Sequence, residues 1–554
     1  MKNGNLEEFA RRIIFRVIPL VLTFLIFCVS QWFFNNPLTL RYEGLWIHIG
    51  FVMIALKILF EFFEPFCEDT GYMESKGIAT NISAIVCIVF VGIGIVFGFT
   101  SWEWFHATAY RNLITVEESD FNADISDESM QIIVDVATAD KLGDRTIGTI
   151  QNSSWYETDN EWNLCEINGA YYRVSPLNYA GFFESNKANG IPGYVRVNAT
   201  NQEAEYVPLE KCINYSKSAY FSEDLRRHLR SLYPSYIFGK SFFEVDDNGE
   251  AFYVTSVMEP KIGVFGGQVV TSCVITDAHT GNSEEYSLDE VPEWVDHVYS
   301  LNYLAQRVED YYRYTHGFIN LSKTDMYRTS YHYQDENFAG YNTTITKDGL
   351  VFYMGLTPAN AAETNIGFIT LNPKNGQIKF YPCAGAEEQS AKSAAQGPVQ
   401  DLGYTASFPT IVNIEGEETY FMLLKDNQGL IQKYALVNLE NYSIVVLDDS
   451  IEGVKRKYIA KLNGEEIDEG TNSSNFESNK IPDDVIKSEG TIKEIYEIQI
   501  DGSTAFLIKL RSDSKLYLSS IKNNYNQVTL KVGNTIKFSY YEQDDICIVT
   551  EISF

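Results

Sequence analysis

The chain has 554 residues, 43 of them basic and 74 acidic, for a formal net charge of −31. Such a surplus repels nucleic acid and anionic headgroups, which excludes a DNA- or RNA-binding reading. The 36 tyrosines and 35 phenylalanines speak for folded β structure and against disorder, and the length predicts several domains.

Residues 13–34, 45–63 and 78–100 are nearly unbroken apolar runs. The first holds one charge, Arg16; the second holds His48, Lys57 and Glu61; the third holds none. Each reaches the ~20 residues that cross a hydrocarbon core of ~30 Å. Backbone groups in lipid must satisfy one another, so each run is predicted to be a transmembrane helix. Trp32, Trp46, Trp102 and Trp104 stand near the segment ends, where amphipathic rings settle into the headgroup layer. The first run is too long for a signal-peptide core and ends in Trp-Phe-Phe, so it reads as a retained helix.

Lys2, Arg11, Arg12 and Arg16 lie at the N-terminus, whereas the first loop has only Arg41 and the second only Lys76 among Glu64, Glu68, Asp69 and Glu74. The positive-inside rule places the N-terminus in the cytoplasm and, after three crossings, residues 101–554 outside the cell membrane. A flipped arrangement is the alternative. Lys57 and Glu61, at i and i+4, admit a transport reading. They fall in the last two turns before the loop, however, where Lys snorkels and a neighbouring acid pairs with it. Gly94 and Gly98 would allow close helix packing, so self-association through the transmembrane helices is an expectation.

Residues 1–100 hold 7 basic and 8 acidic side chains, so a charge of −30 falls on the remainder. There the chain repeats a unit: a turn and strand followed by a later strand pair. The turns are Asn168-Gly169, Asp247-Asn248-Gly249, Lys347-Asp348-Gly349 and Glu415-Gly416, with intervals of 80, 100 and 67 residues between the glycines. Asn-Gly and Asp-Gly between apolar runs demand positive φ and mark hairpins. Helical stretches are predicted over 223–232, 302–314 and 388–402. Each unit therefore reads as a helix laid on a small antiparallel sheet.

The fold class is α+β: a transmembrane anchor over 1–105, modules over 106–215, 216–299, 300–385 and 386–467, and a linker over 468–484. A last domain follows over 485–554. Its strands, predicted over 491–500, 505–510, 515–519, 535–541 and 546–552, suit a small OB-like β-barrel. Asp501-Gly502 joins the first pair.

The chemistry-bearing residues are dispersed. Cys28 and Cys87 lie in predicted membrane helices and Cys67 in a loop; Cys165, Cys212, Cys273, Cys383 and Cys547 are an odd set without a CxxC pair. They read as small buried apolar residues and not as metal ligands. His48, His106, His228, His279, His297, His316 and His332 form no HExxH motif, and GxSxG and Walker loops are missing. The best polar cluster is Glu293, Asp296 and His297 around Trp294, which on a helical turn could bind a metal or move protons. Pro292 just before it reads instead as a helix start, where acids favour the positive dipole end. Asp246-Asp247-Asn248-Gly249 lacks the distal Glu of a calcium loop and reads as a hairpin turn. The expectation is no catalytic, cofactor-binding or metal residue, and no cofactor.

The unit with the Asp-Asn-Gly turn at 247–249, the Tyr253-Val254 strand and the turn Asp277-Ala-His-Thr-Gly281 resembles the PepSY domain. A wider resemblance is to an uncharacterised multi-pass membrane protein family of low-GC Gram-positive bacteria (Firmicutes). It is carried by Gly190-Ile-Pro-Gly-Tyr-Val-Arg-Val197, Tyr233-Pro-Ser-Tyr-Ile-Phe-Gly239, Lys261-Ile-Gly-Val-Phe-Gly-Gly267, Val291-Pro-Glu-Trp-Val-Asp296 and Gly385-Ala-Glu-Glu388. The resemblance implies origin and layout, with no activity to carry over; PepSY modules elsewhere are associated with inhibiting or regulating peptidases. The expected function is a non-enzymatic membrane protein that displays an acidic extracytoplasmic repeat region to an envelope protein, a peptidase or a cell-wall component. The alternative is a membrane-bound enzyme or transporter accessory subunit whose site is assembled from distant residues.

Overall fold

The computed structural model describes residues 2–68, 78–148, 150–334, 339–360, 364–465, 486–500, 503–513, 515–520, 530–543 and 546–553. The expected linker at 468–484 and the Asp501-Gly502 turn lie outside them. The chain divides into two compact units, Met1–Val446 and Leu447–Phe554.

Three helices open the first unit: α1 (Lys2–Phe34), α2 (Glu43–Glu68) and α3 (Ile78–Phe99). Windows Val17–Phe34, Glu43–Phe63 and Asn81–Phe99 are long and apolar enough to cross a membrane. Their apolar side chains point outward: Phe24, Phe51, Ile85 and Ile88 are exposed, as a lipid-facing surface requires. Lys57 and Glu61 pair at 2.6 Å, the local ion pair that their spacing predicts. Gly94 is turned toward α2, with Trp46 3.6 Å from where its Cβ would stand. This close approach is therefore made within the chain.

The helix ends meet the polar region through hydrogen bonds. Leu38 N donates to Pro234 O at 2.7 Å, and Arg41 bonds Pro260 O. Ser101 Oγ accepts from Val264 N at 3.0 Å and Phe265 N at 2.9 Å. Gly263 at that hairpin tip has φ +59°, and a Cβ there would lie 2.1 Å from Thr100 O. Glycine is required by both the backbone conformation and the close approach.

Four antiparallel sheets follow in the same unit. The first holds Tyr156–Thr158, Asn163–Ile167, Ala170–Tyr179, Ile191–Asn198 and Ala204–Ile213. The second is a meander of Ile237–Val245, Ala251–Ile262, Gly266–Asp277 and Ser283–Ser287. The third contains Tyr327–Thr329, Asn342–Thr346, Gly349–Pro358, Thr364–Leu371 and Ile378–Ala386. Glu117–Glu118 adds a parallel edge to its last strand. The fourth sets Thr405–Ala406 and Thr410–Ile414 beside Glu417–Lys425, which is followed by Ile431–Asn438.

Two of the four turn signals form tight hairpins; at 247–249 the loop runs from Val245 to Ala251, and Gly349 is already paired with Thr346. Ile167 pairs with Ala170 and Ile414 with Glu417, leaving two-residue loops with both residues at positive φ: Asn168 and Gly169 at 51° and 76°, Glu415 and Gly416 at 55° and 89°. This matches the right-handed twist of the flanking strands.

The predicted helices are Leu225–Leu232, Leu301–Arg313 and Glu388–Gln396, the last continued by a 3₁₀ turn at Gly397–Leu402. In Leu301–Arg313, the face formed by Leu304, Ala305, Val308 and Tyr312 is buried with Val254 of the second sheet and with Met354, Leu356 and Ile369 of the third. Each large aliphatic on that face contributes about 1.5–3 kcal/mol by leaving water. A further helix, Val136–Ile147, is capped by Asp135, whose side chain accepts from Thr138 N at 2.9 Å. Its polar sequence hid it: Gly143 packs under Trp162, with 2.3 Å left for a Cβ.

In the second unit, Ser450 caps the helix Ile451–Leu462, accepting from Gly453 N at 3.0 Å. Five strands then curl into a barrel. The long strand Ile486–Ile500 makes this closure: Ile486 to Thr491 pairs with Thr535–Gln543, whereas Ile492 to Ile500 pairs with Ser503–Leu510. Leu516–Ser520 and Ile546–Ser553 join in parallel. Ile492, Ile508, Tyr517, Ile536 and Phe538 fill the interior.

Candidate functional site

The chemistry-bearing side chains converge in the first unit, where the first three sheets approach one another. The first and second sheets are joined edge to edge. Asn163 Nδ2 donates to Phe243 O at 2.9 Å, and Asn168 N to Asp247 Oδ1 at 3.0 Å. At this junction lies a cavity of about 270 Å³, walled by Trp162, Arg173, Lys240, His297, Tyr341 and Phe352 among others. A second of about 480 Å³ adjoins it, sharing Arg173 and Tyr341 and reaching Phe408, between two strands of the fourth sheet.

Arg173 breaks an interval that the other three turn glycines share. Four residues beyond the turn glycines Gly249, Gly349 and Gly416 stand Tyr253, Tyr353 and Tyr420, each fully buried. Four residues beyond Gly169 stands Arg173, which is 3% exposed. Its Nε donates to Val134 O at 2.5 Å and its Nη1 to Trp162 O at 3.4 Å. Burial lowers its pKa from the usual arginine value, against the opposing effect of Tyr341 and Asp135. The guanidinium nevertheless remains a cation.

The acids around it have partners of their own. Asp135 pairs with Lys425 and caps Val136–Ile147. Glu161 pairs with Lys217 at 2.6 Å and Lys240 at 3.4 Å. Asp140 accepts from Trp162 Nε1 at 3.1 Å. Among the described residues, the ion pairs include none to Arg173. A buried guanidinium bonded only to carbonyls on a cavity wall is suited to a planar anion such as a carboxylate.

Beside this cavity, with His297 in its wall, is a buried cluster of Cys165, Glu244 and His297, exposed by 0%, 0% and 4%. His297 Nδ1 lies 2.7 Å from Glu244 Oε1, the Cys165 thiol 3.6 Å from Oε2, and Asp296 N donates to Oε2 at 3.3 Å. Phe242 stacks on the imidazole, ring centres 5.5 Å apart. Asp296 itself accepts from Glu166 N at 2.8 Å. Burial first, and the charge of Glu244 second, lift the Asp296 carboxyl well above its ordinary range. Burial, then Glu244 and Asp296, push the Cys165 thiol up.

The structure breaks up the polar cluster predicted from sequence. Asp296 and His297 do gather at Glu244, but Glu293 is exposed, and its carbonyl accepts from Lys374 Nζ at 2.7 Å. The expected helix start at Pro292 is a single turn, Val295 N to Pro292 O at 3.2 Å; the helix begins at Leu301 under a Ser300 cap. Tertiary bonds claim the intervening backbone: Val298 N and Tyr299 N both donate to Pro373 O, at 2.8 and 2.7 Å, and Ser256 Oγ to Val298 O at 2.7 Å. Cys165, read from sequence as a small buried apolar residue, meets Glu244, which no local signal marks, because the two stand 79 residues apart, with His297 another 53 beyond. Arg173 could have been found from the break in the Gly-to-Tyr interval.

Neither a protein-family model nor a curated protein matches the chain. Among solved structures, an exotype rhamnogalacturonan lyase aligns at 10% identity and a TM-score of 0.14, over 66% of this chain and 56% of the lyase. The chain thus spans little more than half of that enzyme, and a likeness of this degree carries neither fold nor activity across.

Proposed function

We propose that this is a non-enzymatic membrane protein that displays its acidic four-sheet region outside the cell membrane. There it binds a carboxylate-bearing partner, an envelope protein or a cell-wall peptide. The observation that carries the reading is the cavity at the sheet junction, into whose wall the chain places Arg173 where three sister units keep a buried tyrosine. Among the described residues no carboxylate pairs with this cation, and burial without such a pair costs free energy that a bound anion would offset. The binding reading is favoured over catalysis because Cys165, Glu244 and His297 are buried and hydrogen-bonded to one another. The asymmetry of Lys and Arg about the three candidate spans supports the outward orientation. In the same reading the sheets are PepSY-like modules and regulation of a peptidase is one use of the binding. The barrel is then an OB-like contact domain.

The test is a thermal-shift titration of the full chain with a peptide ending in D-alanyl-D-alanine and with its C-terminal amide. A saturable stabilisation by the free acid, missing with the amide and in Arg173→Met, is expected. Equal responses to acid and amide would sink the carboxylate reading. Protease added to intact cells should digest residues 101–554; digestion only after lysis would reverse the orientation.

A further inference from the structure

Cys165, Glu244 and His297 come from three separate pieces of backbone: a first-sheet strand, a second-sheet strand and the segment leading into Leu301–Arg313. Their ligand atoms all lie within 4.8 Å of one another. We infer that they form a binding site for one divalent transition-metal ion of the zinc class, coordinated by thiolate, carboxylate and imidazole.

The spacing supports this directly. With bonds of about 2.3 Å to sulfur and about 2.0 Å to nitrogen or oxygen, a tetrahedral ion holds S and O roughly 3.5 Å apart and N and O roughly 3.3 Å apart. The thiol stands 3.6 Å from Oε2, already near that separation, whereas Nδ1 stands 2.7 Å from the other carboxylate oxygen, Oε1. Entry of the ion therefore asks the imidazole to withdraw by about half an ångström. The second-shell contacts that hold such ligands in place are present: Asp296 N fixes Oε2 and Phe242 fixes the ring plane.

Charge supports it independently. Glu244 is 0% exposed, and among the described residues its one ion-pair partner is His297; neither Lys nor Arg reaches it. A second acid, Asp296, adjoins it. Buried carboxylates are kept by pairing or by metal coordination. Thiolate with imidazole selects zinc-like ions over magnesium or calcium, which prefer all-oxygen shells. Binding releases the thiol proton and leaves the imidazole protonated at Nε2. The ion would tie three backbone segments together and leave its fourth tetrahedral position to a further ligand, whatever the adjoining cavity binds.

The experiment uses the detergent-purified full chain, stripped with a chelator, dialysed and titrated with zinc, with metal content and melting temperature as readouts. One equivalent is expected, raising the melting temperature, and Cys165→Ser and His297→Gln should each bind more than about tenfold more weakly. Cobalt substituted into the wild type should show the near-ultraviolet thiolate charge-transfer band, a readout that does not depend on any variant folding. Failure of the stripped wild type to take up zinc, or cobalt uptake without the thiolate band, overturns the assignment.

Discussion

Two buried carboxylates in the same unit, Asp124 and Glu244, meet their charge in opposite ways. Asp124, 5% exposed, is surrounded by donors: Lys379 Nζ at 3.0 Å, Ser119 Oγ at 2.7 Å, Tyr381 OH at 3.1 Å, and Lys347. Lys379 also pairs with Asp348. Burial alone would raise the Asp124 carboxyl, but Lys347, Ser119, Lys379 and Tyr381 overcome it and hold the group far below the usual carboxylate range. Glu244 has a thiol, an imidazole and one backbone amide. The first cluster supplies its own cations and is complete. The second offers soft and hard donors with no lysine or arginine among the described residues, the composition that a metal ion would complete. Burial of an acid is thus not informative until its partners are counted.

The comparison is broken or sharpened by substitution. Lys379→Met takes from Asp124 one of its two lysines and from Asp348 its lysine partner, and should cost about 3 kcal/mol at pH 7, read as a lower urea midpoint. Asp124→Asn probes the same cluster through pH. Because the folded group titrates below its unfolded value of about 3.9, its stabilising contribution is full above that pH and fades as pH falls further. The gap between wild type and Asp124→Asn should therefore narrow below about pH 4; a constant gap down to acid would show that the Asp124 charge is not what matters. In chelated protein, Glu244→Gln keeps an amide oxygen for its donors and should cost only about 1 kcal/mol. A loss as large as that of Lys379→Met would show that Glu244 already has a full cationic partner. The smallest effect belongs to Arg196→Ala, which breaks a 2.6 Å pair with half-exposed Glu205; equilibrium unfolding should move by less than about 1 kcal/mol.

Much of this architecture was legible before any coordinates. The apolar runs became α1 to α3, and the Asn-Gly and Glu-Gly turns became two-residue hairpins. The stretches at 223–232, 302–314 and 388–402 became helices, and five strands curled into a barrel. These are local signals, carried by period, length and positive φ. Val136–Ile147 was missed because its buried face rests on Ala139 and Gly143, which carry little hydrophobic contrast. The residues 292–297 were misread as a helix start because Pro and acids favour that conformation locally, whereas Lys374 claims Glu293 O, Glu244 claims Asp296 N, and Pro373 claims the following Val298 and Tyr299 from a distance.

The sequence by itself therefore determined the candidate membrane spans and the tight Asn168-Gly169 and Glu415-Gly416 turns, since each depends on residues within a few turns of one another. Only the tertiary structure decided which side chains meet. Glu244 gathers Cys165 and His297 across gaps of 79 and 53 residues, and Arg173 becomes a cavity wall only once the sheets have packed together. Contact between chemical groups is a property of packed layers, and packing is set by long-range burial that no local pattern records.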